Sequence, residues 1–146
     1  MDKTTVIARK KARRLALQAL YQWMMAASDL ADIEAQFHVN NDMSKVDTQY
    51  FSVLLRNIPL KVAELDESIE PFLDRKLTDL NPVELTILRM GAYELKERLD
   101  IPYKVAINEA VKLAQEYGAE DGHKYVNGVL DKLARQIRTV EIDQKL

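Results

Sequence analysis

Asn81-Pro82-Val83-Glu84-Leu85-Thr86-Ile87-Leu88-Arg89-Met90-Gly91-Ala92-Tyr93-Glu94-Leu95 is the stretch whose reading decides the fold. It opens with an asparagine, whose side-chain oxygen can accept from the unpaired amides of a first helical turn. A proline follows, and its fixed φ and missing N–H suit the first helical position. Glu84 stands where a capping-box acid would, able to reach back to the cap. Beyond it, Leu85, Ile87, Leu88, Met90, Ala92, Tyr93 and Leu95 leave the helix apolar on most sides. A helix over 83–99 of that character is central and buried, so other helices must surround it.

Working outward, Asp100-Ile101-Pro102 turns the chain into a helix over 103–117, which Gly118 ends as a left-handed cap. A further helix over 123–138 carries Tyr125, Val126, Val129, Leu130, Leu133 and Ile137, and the polar tail after Thr139 reads as frayed. Towards the N-terminus, a first helix over 6–27 presents Ala16, Leu17, Leu20, Tyr21, Trp23 and Met24, and Ser28 and Asp29 break it. Ile33 and Phe37 behind the cap Asp32 predict a short second helix ending near Asn40 and Asn41. From Val46 the positions Tyr50, Phe51, Leu54, Leu55, Ile58, Val62, Leu65 and Ile69 keep helical period, with Pro59 inside. That proline lacks an N–H and crowds the Leu55 carbonyl, so a kink or short break is expected there. Pro71 begins another short turn through Leu77.

No strand alternation and no internal repeat appears. The expected fold is all-α, two packed three-helix bundles with short connections, in one domain over 1–146. Its parts are a basic arm over 1–14 and helical subdomains over 15–79 and 80–138, divided near Leu80.

Composition narrows the function. The 146 residues contain 21 Lys+Arg, 23 Asp+Glu and no cysteine, with 47% hydrophobic residues. A chain of this length buries about 68% of its unfolded surface and needs no staple. Without cysteine there is no disulfide framework, no thiol nucleophile and no thiolate metal site. No apolar run approaches the ~20 residues that span a bilayer, and no signal-peptide core is present, so a cytoplasmic protein is expected. The net charge of −2 conceals an asymmetry: Lys3, Arg9, Lys10, Lys11, Arg13 and Arg14 against Asp2 make residues 1–14 +5, leaving −7 for the rest. That head reads either as a solvated tail or as a contact for a polyanion.

Enzyme motifs are missing. His38 and His123 lie too far apart for a helical zinc pair. Gly91, Gly118, Gly122 and Gly128 match no phosphate loop, and no serine sits in a nucleophile elbow. Catalysis, a metal and a cofactor are not expected. Two segments hold interest instead. Arg9-Lys10-Lys11-Ala12-Arg13-Arg14 points its bases in nearly every helical direction, which suits the phosphates of a flexible strand better than a membrane plane. Gly118 to Gly128 crowds Lys124, Tyr125 and Asn127 at a helix start, where free amides favour anions and a ring could stack a base. The plainer reading of the second segment is that Tyr125 is a core residue spaced with Val129 and the glycines close a turn.

The runs Arg13 to Trp23 (RRLALQALYQW), Asn81 to Leu95, and Ile101 to Arg135 (IPYKVAINEAVKLAQEYGAEDGHKYVNGVLDKLAR) resemble the NusB family of bacterial transcription antitermination factors. The likeness covers nearly the whole chain and is weakest over 29–69. It implies two three-helix bundles and a role without catalysis. Members pair with NusE, a small-subunit ribosomal protein, and the pair grips the boxA element of nascent RNA. With NusA and NusG they help RNA polymerase read through Rho-dependent terminators, chiefly in ribosomal RNA operons, and some members form homodimers. A similar domain heads some RNA cytosine methyltransferases, which is the alternative reading; no membrane partner is implied.

Residue by residue, the resemblance assigns the family's arginine-rich motif to Arg9, Lys10, Lys11 and Arg13. Two lysines there keep the charge and lose bidentate grip. It assigns RNA contacts to Phe72, Asp121, Lys124, Tyr125 and Asn127, and NusE-facing positions to Tyr21 and Glu84. Phe72 stands where a tyrosine is expected, losing a hydroxyl and keeping a stacking face.

Overall fold

The computed structural model describes residues 2–143. Among them the chain forms eight α-helices and no strand: α1 (Lys3–Ala26), α2 (Leu30–Asn40), α3 (Thr48–Leu60), α4 (Val62–Ile69), α5 (Pro82–Glu97), α6 (Tyr103–Tyr117), α7 (Gly122–Ile137) and α8 (Thr139–Asp143). The chain divides into two compact units between Leu60 and Lys61. The boundary therefore falls earlier than the expected Leu80, because α4 packs on α5 and belongs with the C-terminal helices. The break is local to Pro59: α3 ends one residue after it, and Lys61 leaves helical geometry at φ −112°, ψ 12°.

In the first unit α1 packs against α2 and α3. The helix begins at Lys3, not Val6, because the Asp2 carboxylate accepts from the Thr5 N–H at 2.8 Å and caps it. The basic segment 1–14 is thus not an arm: its bases ride on the first turns of a regular helix. Ala12, Ala16, Leu17, Ala19 and Leu20 of α1 are buried, as are Ile33 of α2 and Tyr50, Phe51, Leu54, Leu55 and Ile58 of α3. Phe37 lies 5.9 Å from Phe51 between ring centres. The cap of α2 is Asp29, which accepts from Ala31 N–H at 2.8 Å. Asp32, expected in that role, sits in the first turn, where an acid favours the helix dipole.

In the second unit α5 is the buried centre that its sequence predicts, in contact with α4, α6 and α7. Asn81 caps it by accepting from Val83 and Glu84 N–H groups at 2.9 and 3.3 Å. A bidentate pair, Arg89 to Asp66 at 2.8 and 2.9 Å, fastens α4 to α5. Two 3₁₀ turns, Glu70–Phe72 and Leu77–Asp79, replace the single turn expected from Pro71 to Leu77. Gly118 is extended at φ −87°, ψ 178°, not left-handed; a Cβ there would stand 2.7 Å from the Ala114 carbonyl oxygen, which is why glycine serves. The left-handed residue of that turn is Asp121, at φ 67°; the other, Ala27 at φ 52°, ends α1. The segment after Thr139 is helical to Asp143, and its anchor is Arg138, 5% exposed. The last three residues of the expected frayed tail lie outside the described residues.

Candidate nucleic-acid interface

The bases of α1 sort by direction. A helix turns about 100° per residue, so Arg9 and Arg13, four apart, share a face. That face meets α3. The guanidinium carbons of Arg9 and Arg13 lie 4.8 and 5.6 Å from the centre of the buried Tyr50 ring. Arg9 Nε is buried without a hydrogen bond, 3.9 Å from Asp47 Oδ2. Asp47 accepts from Tyr50 N–H at 3.0 Å and donates its own N–H to the Ala8 carbonyl at 3.1 Å, locking the start of α3 to α1. Arg13 is 5% exposed. Two of the four residues assigned to the cationic motif therefore serve chiefly to hold α1 on α3.

The remaining bases face elsewhere. Lys3, Lys10, Arg14 and Tyr21 fall within about 40° of one line along α1, with Lys11 beside it. Lys3 and Arg14 are exposed; Lys10, Lys11 and Tyr21 are half-buried.

On the second unit, Asp121, Lys124, Tyr125 and Gly128 recur at the spacing that shares one helix face on the first turns of α7. Asp121 and Lys124 are exposed and paired at 3.4 Å. Tyr125 is half-buried at the surface, so it is not the core residue that its spacing with Val129 suggested; Val126 and Val129 fill that role. Its hydroxyl accepts from Asp74 N–H at 3.3 Å, and the Arg75 guanidinium lies 4.7 Å over its ring. Arg75 is held by Asp74 through bonds of 2.7 and 3.1 Å. The Asp74 carboxyl is held below its ordinary value by Arg75 and by the Tyr125 hydroxyl. Burial, reinforced by the Asp74 carboxylate, pushes the Tyr125 phenol up. Phe72, half-buried, ends the 3₁₀ turn that packs on α7, and Asn127 is exposed on α7. Asp74 and Arg75 escaped the sequence reading, since nothing local marks them.

Glu84 is 6% exposed. Its side chain does not turn back to complete a capping box: Oε2 accepts from Ala119 N–H at 3.3 Å, ahead of α7. The described residues contain no group of three His, Asp or Glu placed to hold a metal, and no helix among them is long and apolar enough to cross a membrane.

Fold and site together define a class: an all-α bundle protein whose distinctive side chains, cationic on one helix and aromatic with polar neighbours on another, lie on helix surfaces. The profile of the NusB family matches residues 10–135, and the chain belongs to that family. Among curated relatives, the transcription antitermination protein NusB of Alcanivorax borkumensis is 56% identical over 142 residues, covering 97% of this chain and 95% of its own. The protein of the same name from Hahella chejuensis is 55% identical over 134 residues, covering 92% and 90%. Of solved structures, T. maritima NusB superposes with a TM-score of 0.77 at 28% identity, over 92% of this chain and 96% of that one.

Proposed function

We propose that this chain is a transcription antitermination factor that works by binding RNA, without catalysis. The ligand is the boxA element of nascent ribosomal transcripts. The observation that carries the reading is the surface position of Tyr125, its ring beside Arg75 and one helical position from Lys124. A phenol ring flanked by cations offers stacking to an unpaired base and charge to its phosphate, the combination single-stranded RNA presents.

Two surfaces divide the work. The bases along α1, Lys10 and Lys11 among them, attract phosphates without regard to sequence, and the salt slope rises by about 0.7 for each phosphate neutralised. Phe72 and Tyr125 stack bases, and Asp121 and Asn127 read their edges. Phosphate repels Asp121, so its carboxylate suits a base amino group. Arg9 and Arg13 contribute field more than direct grip, being committed to Tyr50.

The acidic balance outside the basic segment suits a basic protein partner, and NusE is assigned to it. Tyr21 and Glu84 are its positions here, Glu84 presenting only the small exposed edge of its side chain. NusA, NusG and RNA polymerase complete the assembly. The test is titration of fluorescent boxA RNA and a scrambled control, with and without NusE, at two salt concentrations. Preference for boxA that strengthens with NusE supports the reading; equal affinity for both RNAs overturns it.

A further inference from the structure

RNA binding through α1 and α7 gives the Glu84 carboxylate no role, and a partner contact through its small exposed edge does not explain why the rest is buried, which is costly for a charge unless it is hydrogen-bonded. Its setting is specific. Oε2 accepts from Ala119 N–H at 3.3 Å. It also lies against Gly122, the first residue of α7: a Cβ built there would collide with the carboxylate oxygen and stand 2.8 Å from Glu84 Cδ. Between these two points are Glu120 and Asp121. Asp121 is left-handed, a strained state for a residue with a Cβ, and its side chain does not cap α7. The helix thus begins without a side-chain cap bond of its own, and the buried carboxylate against its positive end comes from α5.

We propose that Glu84 is a positioning residue for the RNA-reading turn, gripping the Ala119 amide and filling the space left by the missing Gly122 side chain. This rests on the RNA reading above. With both ends of the turn held, Asp121 keeps its left-handed backbone, which sets the direction of its carboxylate relative to Lys124 and Tyr125 on the same helix face. Released from Glu84, Asp121 can relax to the extended region favoured by residues with a Cβ. Its carboxylate then leaves the face it shares with the ring. Glu84 itself needs no contact with RNA.

The test uses Glu84→Ala, Glu84→Gln and Gly122→Ala in the full chain without NusE. It reads affinity for boxA and scrambled RNA and, in the free protein, amide exchange from Ala119 to Tyr125. Glu84→Ala is expected to lower the boxA preference about tenfold, the scale of one hydrogen bond to a charged group. Scrambled-RNA affinity and salt slope stay unchanged, and Ala119 exchange quickens. Glu84→Gln, whose amide oxygen still accepts from Ala119, recovers most of the preference, and Gly122→Ala reproduces the loss by displacing the carboxylate. Equal loss on both RNAs, unchanged preference, or unchanged amides after Glu84→Ala overturns the proposal. Should Glu84→Ala not fold, Glu84→Gln and Gly122→Ala decide by the same readouts. A wild-type chain with no boxA preference overturns the RNA reading, while amide exchange still decides whether Glu84 holds the turn.

Discussion

The Arg75 guanidinium lies 4.7 Å from the centre of the Tyr125 ring, on a loop joined to α7 by the Asp74 N–H bond to the same tyrosine's hydroxyl. One approach to the ring is thus already occupied by a cation. Displacing it costs little, because cation–π contacts and ion pairs at exposed sites are weak and screened by solvent. A stacked base returns about 1–3 kcal/mol. An arriving nucleotide can therefore exchange with Arg75, whose charge remains available to a phosphate.

Tyr125→Ala is expected to weaken boxA binding by the stacking contribution, about 1–3 kcal/mol or roughly 5- to 150-fold, and scrambled RNA far less. Tyr125→Phe keeps the ring and loses the acceptor for Asp74 N–H, so it should lie close to wild type. Fluorescence anisotropy with both RNAs checks this. Equal losses on the two RNAs after Tyr125→Ala would remove the base-reading role.

The directions of the α1 bases separate two effects. Lys10→Ala with Lys11→Ala should weaken both RNAs alike and reduce the salt slope by about 0.7 for each phosphate no longer neutralised, with little change in stability. Arg13→Ala should do the opposite. It is 5% exposed beside Tyr50, so its loss is expected to cost about 2–3 kcal/mol of stability, seen in thermal unfolding.

That contrast shows where the sequence was readable. Asn81-Pro82 announced α5 and Pro59 announced the break at Lys61 because caps and prolines act within a turn of themselves. Asp121, Lys124 and Tyr125 were legible together because one helix start carries all three. The direction of Arg9 and Arg13 was not, since a run of bases gains an inside only once α3 is in place. Arg75 and Asp74 were invisible for the same reason: they meet Tyr125 across 51 residues or nearly so. Glu84 misled because two acceptors competed for one helix start, and Asn81 alone satisfied it.

Gly128 lies three residues after Tyr125 and four after Lys124, and a Cβ there would meet nothing within 4 Å. A glycine inside a helix costs about 0.5–1 kcal/mol relative to alanine, and no neighbour in the fold requires it. Gly128→Ala should therefore raise the melting temperature by a few degrees, about 2–4 °C per kcal/mol at this size. If RNA runs close to the backbone beside Tyr125, the same substitution lowers boxA affinity several-fold. Stability and affinity moving in opposite directions is the expected result, and a rise in both would place the RNA elsewhere.

The Tyr125 phenol should titrate above its ordinary value of 10.0, because burial first and the Asp74 carboxylate after it disfavour the phenolate, with the Asp74 N–H and then Arg75 opposing. A raised value in the folded state means the group contributes stability that is fully present below pH 10.0 and lost as pH rises through the folded value. The check is phenolate absorbance of wild type minus Tyr125→Phe: a difference midpoint at or below 10.0 contradicts the burial of the ring.

Arg138 closes the second unit from the C-terminal side. Its Nε donates to the Leu95 carbonyl at 2.8 Å, and its Nη2 to the Glu94 and Arg98 carbonyls at 3.2 and 3.1 Å. Its Nη1 pairs with Glu141 at 2.7 Å, and Glu141 in turn accepts from the Tyr103 N–H at 3.3 Å. One guanidinium therefore satisfies the carbonyls at the end of α5 and orients the acid at the start of α6. Arg138→Ala strands those groups in a buried setting and should cost about 3–5 kcal/mol, measured by denaturant unfolding followed by circular dichroism. Arg138→Lys, with a point charge in place of a planar fork, should recover only part of it. Glu141→Gln should cost less than either, because its amide oxygen still accepts from Tyr103. One RNA surface lies on α1 and the other on the first turns of α7, at the opposite end from its Arg138 cap, so the folded fraction of each variant should bind boxA as wild type does. A loss of affinity in the folded fraction would show that Arg138 also shapes the RNA-reading face of α7.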